Sequence, residues 1–436
     1  MRWTLPVAIF AALVSAQAGA ADWTRFLGSN PYFPNQLADR GLAVDAAGLV
    51  AVQAYNRPAW SGQIEFVHEY SLAADGTIPW IWGVVGKNPS QAMTPRGVDQ
   101  RDGYRLVWIA RADDPSSSRD ELSVVLPNGA QPQWWLSEPQ IGGHAVDAVS
   151  GGADGGFVLR ALDAGAGFEV VAFDSPAPRW RATAQLCPGG AVPANLQIDF
   201  APFGAWPAVH TLSVAGSCDD GLNPPQVFVQ RFDTLDGSQA ATEWLNVAPD
   251  RQLDRLAFSP AHELVAVYST PGPLKEVQRV PPPGQSFTGP PALLFGLDQI
   301  TALAPAGADT LAILGNDANG NPVSATVWPQ GAVSWPAPLN GLAGFPGGGW
   351  SFAAGRDEKL LALRVESGGS VPLLRLVGLD AYGQLEWTDT IADVLPGAVA
   401  QAVSAQDAAG GFIVAIDTQD AGGTTGIVVR RVGSAP

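Results

Sequence analysis

The sequence predicts an all-β fold, an eight-bladed β-propeller of four-stranded antiparallel blades. Three observations predict it: a tryptophan that recurs along the chain, a composition rich in turn-forming residues, and a last repeat that lacks one strand. A unit repeated at about fifty residues cannot bury its apolar face alone, so it must stack on its neighbours. A seven-bladed ring, a β-solenoid and a pair of β-sandwiches are the alternatives.

Seven predicted outer strands each carry a tryptophan shortly after a tight turn. The intervals are about fifty to sixty residues, except one of about ninety, in which Phe287 is the expected replacement. A buried tryptophan removes roughly 150–250 Å² from water, so we expect each ring to dock its blade on the next. An exposed aromatic track that binds carbohydrate is the alternative. The seven are Trp23, Trp80, Trp134, Trp180, Trp244, Trp335 and Trp387.

Composition favours short strands over helices. The 436 residues include 50 glycines and 37 prolines, which favour many strands joined by turns. The formal net charge of −17 makes nucleic acid and anionic membrane surfaces poor partners, because both are negatively charged.

The repeat that ends at Trp387 shows the four-strand pattern best. Its strands are predicted at residues 350–354, 360–365, 373–379 and 384–390, and alternation as in Leu361, Leu363 and Val365 marks half-buried strands. Eight inner strands of this kind can be placed along the chain, near residues 42–46, 97–100, 145–149, 196–200, 256–259, 300–305, 350–354 and 402–405.

The last repeat predicts how the ring closes. It has strands near residues 412–416 and 426–432 but no outer strand, whereas residues 21–27 precede the first inner strand and have no repeat of their own. Pairing the two would remove two open sheet edges and complete the last blade.

The first twenty residues predict a secretory signal. Arg2 gives a positive start, Leu5 to Val14 is apolar but too short to span a bilayer, and Ala18, Gly19 and Ala20 form a small-residue cleavage site. We therefore expect residues 21–436 to form a single exported propeller domain, periplasmic or extracellular. We also expect a monomer with no membrane span, because no later segment approaches ~20 continuous apolar residues.

Two segments resemble a known repeat. Residues 232–244 and 379–387 are similar to the pattern A-x-D-x-x-T-G-x-x-x-W of the pyrroloquinoline-quinone (PQQ)-like propellers, whose tryptophans dock blade on blade. The quinone dehydrogenases of that superfamily use an adjacent Cys-Cys pair, which is lacking here. The resemblance is therefore nearer to non-catalytic members such as the outer-membrane assembly propeller.

Cys187 and Cys218 are the only cysteines. An exported protein permits a disulfide between them, and two free buried thiols are the alternative. In either case we expect a structural role.

No local catalytic motif is found. The best metal candidate is the set Asp317, Asn319 and Asn321, whose oxygens alternate as at the start of a calcium loop. Pro322 and Trp328 stand where such a loop needs glycine and glutamate, and an Asn-Gly turn explains the pattern equally well. We therefore expect no cofactor, with calcium as the exception to test.

The predicted loops between second and third strands make one face of the ring acidic. That acidity serves either ligand binding or solubility. Their acids are Asp113, Asp114, Asp120, Asp219, Asp220, Asp317, Glu366 and Asp420, and one of the loops is predicted at residues 112–121. Five tryptophans outside the outer-strand pattern are pocket or surface candidates, namely Trp60, Trp108, Trp206, Trp328 and Trp350.

These observations favour a non-enzymatic binding or scaffold protein whose ligand is a protein, a peptide or a carbohydrate. The alternative is a hydrolase or lyase that acts on a polysaccharide or another polymer from the central channel, because acids on several blades leave no local motif. Asp45, Asp99 and Asp147, on the first three inner strands, would carry that activity.

Overall fold

Short apolar runs that end at glycine or aspartate turns form the strands of this chain. The computed structural model describes residues 22–28, 35–45, 47–56, 66–85, 92–101, 104–114, 117–125, 134–137, 145–162, 167–174, 177–187, 193–202, 210–218, 226–245, 247–286, 291–306, 309–329, 332–334, 336–345, 350–355, 359–367, 372–405, 410–419 and 424–433. Two 3₁₀ turns, Gly152–Asp154 and Asn340–Leu342, accompany the strands. Within these residues no helix has the length and apolar character that crossing a membrane requires.

The first strand, β1 (Thr24–Gly28), belongs to the last sheet, and the next sixteen form four antiparallel sheets in chain order. Sheet 1 contains β2 (Asn35–Val44), β3 (Val50–Asn56), β4 (Phe66–Leu72) and β5 (Trp80–Val85). Sheet 2 contains β6 (Ala92–Arg101), β7 (Tyr104–Asp114), β8 (Ser117–Val125) and β9 (Trp134–Ser137). Sheet 3 contains β10 (Ala145–Ser150), β11 (Gly156–Ala161), β12 (Gly167–Phe173) and β13 (Pro178–Gln185). Sheet 4 contains β14 (Pro193–Ala201), β15 (Thr211–Cys218), β16 (Gln226–Asp233) and β17 (Glu243–Trp244).

The remaining strands form four more antiparallel sheets. Sheet 5 contains β18 (Gln252–Phe258), β19 (Leu264–Ser269), β20 (Leu274–Val280) and β21 (Ala292–Phe295). Sheet 6 contains β22 (Gln299–Pro305), β23 (Leu311–Asn316), β24 (Pro322–Val327) and β25 (Ala337–Pro338). Sheet 7 contains β26 (Ser351–Ala354), β27 (Leu360–Glu366), β28 (Leu373–Leu379) and β29 (Leu385–Ile391). Sheet 8 contains β30 (Gln401–Ser404), β31 (Phe412–Gln419), β32 (Thr425–Val432) and β1.

The sheets form a closed ring. The first strand of each sheet contacts the first strand of the next, from β2 and β6 to β26 and β30, and β30 contacts β2. At the closure β1 pairs with β32, from Thr24 opposite Arg430 to Gly28 opposite Gly426. The predicted all-β propeller of four-stranded blades, with an N-terminal strand that completes the last sheet, is confirmed.

Apolar side chains fill the space between neighbouring sheets. One cluster joins Phe168 and Val170 of sheet 3 to Leu212 and Phe228 of sheet 4. Every residue of β12 is buried, because this central strand has a sheet on both sides. Burial of such a side chain stabilises the fold by roughly 1.5–3 kcal/mol. Sheet-on-sheet packing, rather than contacts within one sheet, therefore holds the ring together.

The predicted elements agree with the structure in the seventh repeat and differ from it in sheet 2. The four strands predicted for the seventh repeat correspond to β26, β27, β28 and β29. The loop predicted at residues 112–121 is wrong, because β7 continues to Asp114 and β8 begins at Ser117. Ala112 pairs with Ser118 across this hairpin. Two extended strands satisfy each other's backbone hydrogen bonds whether their side chains are polar or not.

Candidate functional site

Tryptophans lie against left-handed glycines at three sheet-to-sheet interfaces. At the interface of sheets 3 and 4, Trp180 is 9% exposed and its Nε1 donates to the carbonyl of Thr234 at 2.9 Å. Gly237, in the turn that joins β16 and β17, has φ +75°, and a Cβ there would lie 2.7 Å from Cε3 of Trp180. Glycine is therefore required both for the backbone angle and for the close approach of the ring.

The same arrangement recurs on both sides of sheet 8. Trp23, which precedes β1, donates from Nε1 to the carbonyl of Ala74 at 2.8 Å and lies against Gly76, whose φ is +78°. Trp387 of sheet 7 lies against Gly433, whose φ is +68° and which follows β32. We call Gly76, Gly237 and Gly433 the docking glycines. At each docking glycine, a tryptophan on or just before the outer strand of one sheet contacts the residues that follow the third strand of the next sheet.

Of the other predicted docking residues, the structure describes the side chain of Trp244 alone. Trp80 and Trp134 lie on β5 and β9, but their side chains fall outside the described part of the chain, as do Trp335 and Phe287 entirely. Trp244 is 41% exposed, and its ring packs against Phe228 of its own sheet at a centroid distance of 5.8 Å. At that interface Arg231 Nη2 donates to the carbonyl of Pro281 at 2.6 Å and joins sheet 4 to sheet 5.

Among the described residues, a leucine contacts the turn glycine where sheets 6 and 7 meet. Gly383, in the turn between β28 and β29, has φ +71°, and a Cβ there would lie 3.0 Å from Cδ2 of Leu339. The amide of Gly341 donates to the carbonyl of Gly383 at 2.8 Å. Leu339 thus has the relation to Gly383 that the three tryptophans have to the docking glycines.

A cavity of about 710 Å³ lies between sheets 6 and 7. We call it the 6–7 groove. Its lining comes from β22, from the turn between β23 and β24, and from the connection that leads from β25 to β26. The polar lining residues are Thr301, Asn316, Asp317, Asn321 and Asn340, and the aromatic ones are Phe345, Trp350 and Phe352. The volume lies within the roughly 300–1,000 Å³ that small-molecule sites occupy.

Two arginines hold the aromatic rings of the groove. The Arg364 guanidinium lies 4.4 Å from the ring centroid of Trp350, and the Arg375 guanidinium lies 5.5 Å from that of Phe345. The two rings meet edge to face, with centroids 6.3 Å apart. Stacking of this kind contributes about 0.5–1 kcal/mol per pair at exposed sites. The rings are therefore positioned before any ligand binds.

Glu366 joins the two arginines. Arg364 and Arg375 are directly opposite each other on β27 and β28, an arrangement that is destabilising for like charges. Arg375 donates from Nε and Nη2 to both carboxylate oxygens of Glu366 at 2.8 and 2.9 Å, and Arg364 Nη2 donates to Oε1 at 2.6 Å. The hydrogen bonds from Arg375 and Arg364 lower the pKa of Glu366 to about 2. The carboxylate thus offsets one of the two positive charges and stays ionised well below the ordinary pKa of a glutamate.

Asp317, Asn319 and Asn321 form a turn at the rim of the groove. Asp317 Oδ1 accepts hydrogen bonds from the amides of Asn319 at 2.9 Å and Asn321 at 2.8 Å, and its Oδ2 accepts one from Asn321 Nδ2 at 3.0 Å. These bonds, led by that of the Asn321 side chain, lower the pKa of Asp317. No group of three or more His, Cys, Asp or Glu that would hold a metal occurs within the described residues. Calcium binding by these three residues stays a prediction.

Of the three predicted channel acids, the structure brings two to one cavity and leaves the third apart from it. Asp99 and Asp147 line one cavity of about 180 Å³, and Asp45 lies elsewhere, where its Oδ1 accepts the amides of Ala47 and Leu49 at 2.9 and 3.0 Å. Burial raises the pKa of Asp99. The Asp99 carboxylate accepts the amide of Ser150 at 2.7 Å.

Asp147 has a similar bond to the following sheet. It accepts the amide of Ile198 at 3.1 Å. Arg40 of sheet 1 also reaches Asp147, with Nη2 3.0 Å from Oδ1, and has the positive φ of 53°. Asp99 and Asp147 therefore each connect two inner strands, which is a structural use of a carboxylate.

Cys187 and Cys218 are joined in a disulfide. Cys187 follows β13 of sheet 3 and Cys218 ends β15 of sheet 4. The bond therefore crosses the same interface that Trp180 closes, and both cysteines belong to the apolar cluster between these two sheets.

The sequence predicts some residues of the groove but not the groove itself. Trp350, Asp317 and Asn321 are predicted candidates that line it, whereas Glu366, predicted on an acidic loop, ends β27 beside it. The sequence analysis does not predict roles for Leu339, Phe345, Arg364 and Arg375. The signal for the arginines is that two of them lie at matching positions of one predicted hairpin near a single glutamate.

Comparisons with known proteins find propellers of low similarity. No protein-family model matches the sequence, and no match to a curated protein was found. The β-propeller domain of the Trilobed protease from Pyrococcus furiosus is 10% identical with a TM-score of 0.42, covering 79% of this chain and 94% of that chain. Prolyl oligopeptidase B from Galerina marginata is 11% identical with a TM-score of 0.44, covering 92% of this chain and 56% of that chain. The BP39L lectin from Burkholderia pseudomallei is 17% identical with a TM-score of 0.38, covering 76% and 93%.

The chain thus spans little more than half the length of the oligopeptidase. Because the identities and the TM-scores are this low, the assignment of the fold rests on the strand pairing and ring closure of the chain itself.

Proposed function

We propose that this protein is an exported, non-enzymatic binding propeller that holds its ligand in the 6–7 groove. The observation that carries the proposal is the groove itself: a cavity of about 710 Å³ that combines aromatic rings with side-chain amides. Its volume is that of a small-molecule site, and its wall combines polar and apolar groups in similar measure. The rings are already fixed by Arg364 and Arg375, so binding would order few side chains.

We also propose that the chain is related to the PQQ-like propellers, nearer to their non-catalytic members. Support comes from Trp23, Trp180 and Trp387, each of which lies against a left-handed glycine of the next sheet. This is the blade-on-blade docking that the sequence resemblance implies. Export is supported by the signal-like sequence at residues 1–20.

The alternative, a hydrolase or lyase that uses Asp99 and Asp147, has weaker support. Both carboxylates line the smaller cavity, and Asp99 has the raised pKa that a general acid needs. Each, however, already accepts a backbone amide of the following sheet. A carboxylate that braces two strands in this way is less free to exchange protons with a substrate.

The proposal is tested by blocking the groove. Ala343 is exposed and lines the groove, so Ala343→Trp would fill part of it without replacing a core residue. Thermal unfolding is measured with calcium chloride, a set of oligosaccharides and a set of peptides, because a ligand that binds only the folded state raises the melting temperature. We expect at least one set to stabilise the wild type and not Ala343→Trp.

Ala241→Trp is the matched control, since Ala241 is an exposed alanine near sheet 4. This variant should respond to ligand as the wild type does. A ligand that stabilises Ala343→Trp as strongly as the wild type would place binding elsewhere and overturn the proposal.

A further inference from the structure

We infer that the ligand of the 6–7 groove is a neutral oligosaccharide that stacks on Trp350 and exchanges hydrogen bonds with the amides at the groove's rim. The inference rests on the proposed binding function of the groove and names its ligand class. It follows from the charge of the lining, the chemistry of its polar groups and the geometry of its rings.

The described part of the lining offers no cation to an anionic ligand. None of the described lining residues is lysine, arginine or histidine. The two nearest arginines, Arg364 and Arg375, lie over the aromatic rings and are hydrogen-bonded to Glu366. An anionic sugar, a nucleotide or a phosphopeptide would be desolvated in the groove without a compensating charge, which is costly.

The lining is equally poor for a cation. Among the described lining residues Asp317 is the only one with a carboxylate, and its oxygens accept three hydrogen bonds within their own turn. A cationic ligand would share those oxygens with the three donors, which weakens its attraction to the carboxylate. The charge of the lining therefore favours a ligand with no net charge.

The polar groups of the rim match hydroxyl groups. Asn321, Asn340 and Thr301 are exposed and line the groove. The Thr301 hydroxyl already donates to the carbonyl of Leu314 at 3.1 Å, and Asn321 Nδ2 donates to Asp317 at 3.0 Å. The Thr301 oxygen can still accept, and each side-chain amide has further donors and an acceptor. Sugar hydroxyls both donate and accept, so they match these remaining groups.

The rings supply the apolar half of such a site. The face of an indole ring carries partial negative charge, which attracts the weakly positive C–H groups on the flat side of a pyranose. Arg364 lies over one face of Trp350, so a sugar that stacks on this indole must use the other face. The planes of Phe345 and Trp350 are 77° apart, and this contact restricts rotation of the indole.

An extended peptide fits the groove less well. A peptide strand is held mainly by backbone hydrogen bonds, and two of the lining residues, Pro322 and Pro338, have no amide hydrogen to donate. Peptides that bind through proline rings instead of backbone bonds are therefore the competing ligand class that the experiment must include.

The experiment measures binding of four uncharged trisaccharides, maltotriose, cellotriose, xylotriose and chitotriose, by calorimetry and by thermal shift. Trigalacturonate is the charged control and a proline-rich peptide set is the competitor. We expect one uncharged trisaccharide to bind the wild type and trigalacturonate not to bind. Trp350→Ala should weaken binding about tenfold or more, and Trp350→Phe, which keeps an aromatic ring, should weaken it by only a few-fold.

Asn340→Ala guards against a folding effect of the tryptophan variants. Asn340 is exposed, so the Asn340→Ala variant without ligand should melt at the same temperature as the wild type. Its affinity for the trisaccharide should fall several-fold. Trp244→Ala removes a tryptophan that is 41% exposed at another site and should leave affinity unchanged.

Each outcome decides between the two proposals. Trisaccharide binding that survives both Trp350→Ala and Asn340→Ala would overturn the carbohydrate inference for this groove. Stabilisation by the peptide set alone, lost in Ala343→Trp, would keep the binding function and overturn the ligand class. A wild type that trigalacturonate stabilises as much as the uncharged sugars would overturn the charge argument. If none of the calcium, sugar and peptide probes stabilises the wild type, both proposals fail.

Discussion

Two interfaces of the ring are built from the same backbone geometry but differ in what fills them. Between sheets 3 and 4, Trp180 lies against Gly237, and the Cys187–Cys218 disulfide crosses the same apolar cluster. Between sheets 6 and 7, Leu339 lies against Gly383, and a cavity of about 710 Å³ is open beside it.

The difference shows that different side chains can contact the same kind of left-handed glycine at two interfaces of one ring. Trp335, the tryptophan predicted for the interface of sheets 6 and 7, lies outside the described residues, so the comparison is between the contact of Trp180 and that of Leu339. Leucine is much smaller than tryptophan, and the Leu339 contact therefore buries less apolar area against its glycine than the Trp180 contact does.

The largest expected effect is at the closed interface. Trp180→Ala should lower the free energy of unfolding by about 3–5 kcal/mol, because it removes a buried ring and leaves a cavity. Urea titration followed by circular dichroism measures the change. Trp244→Ala is the control and should cost less than about 1 kcal/mol, since its ring is 41% exposed. If the two variants lose the same free energy of unfolding, Trp180 does not stabilise the interface of sheets 3 and 4 more than an exposed tryptophan does.

The disulfide should contribute nearly as much to the same interface. Replacing both Cys187 and Cys218 by alanine removes a loop closure with a sequence separation of 31, which is worth about 3–4 kcal/mol in the chain-entropy model. A reductant should lower the stability of the wild type toward that of the double variant. A wild type that is insensitive to reductant at every urea concentration would show that the bond is absent.

The closure between sheets 8 and 1 should respond to pH. Burial raises the pKa of Asp417 to about 6, and its Oδ1 accepts the amide of Leu37 at 2.7 Å. A carboxyl whose pKa is raised by folding stabilises the fold fully below its unfolded pKa, and that stabilisation is lost as pH rises through about 6. Acidification from about pH 8 to about pH 4.5 should therefore stabilise the wild type by about 2 kcal/mol relative to Asp417→Asn.

Thermal unfolding of both proteins across this range gives the difference directly. Because other titrating groups are common to both, only the wild-type-minus-variant curve is informative. A flat curve would show that Asp417 has an ordinary pKa.

The smallest expected effect on stability is at the open interface. Glu366→Gln should change the free energy of unfolding by no more than about 1 kcal/mol, because the ion pairs are partly exposed. It should nevertheless loosen Trp350, which acrylamide quenching of tryptophan fluorescence would detect. The pKa of Glu366 is lowered to about 2, so its contribution is present above about pH 4.5 and is lost only as pH falls through about 2.

Glu386→Gln is the control for this change. Glu386 pairs with Lys359 in the same sheet at 2.8 Å, and its loss should leave the quenching of Trp350 as in the wild type. If Glu366→Gln and Glu386→Gln show equal quenching, Glu366 does not position the ring of Trp350.

The sequence predicted the ring because its signals are local or periodic. The turn glycines, the alternation in β27 and the tryptophans each depend on neighbours within one repeat. The prediction of a loop at residues 112–121 was wrong because it took polar side chains as the sign of a loop. Backbone hydrogen bonding determines whether a segment is a strand, and Ala112 pairs with Ser118 in this one.

The groove could not be predicted in the same way. Its lining joins Thr301, Asn321 and Trp350, residues that are far apart in the chain and meet only through the angle between two sheets. Likewise, no sequence pattern predicts the contact between Leu339 and Gly383. That contact depends on where β25, a strand of two residues, ends. Local signals specify the repeat, whereas the spaces between repeats depend on how the repeats are packed.

The pairing of β1 with β32 also constrains the order of events in biosynthesis. Thr24 and Arg430 lie opposite each other although about 400 residues separate them along the chain. The ribosome makes Thr24 long before Arg430, so β1 has no partner strand until β32 has been made. Contacts this distant along the chain slow folding, so we expect the pairing of β1 with β32 to be a late step of folding.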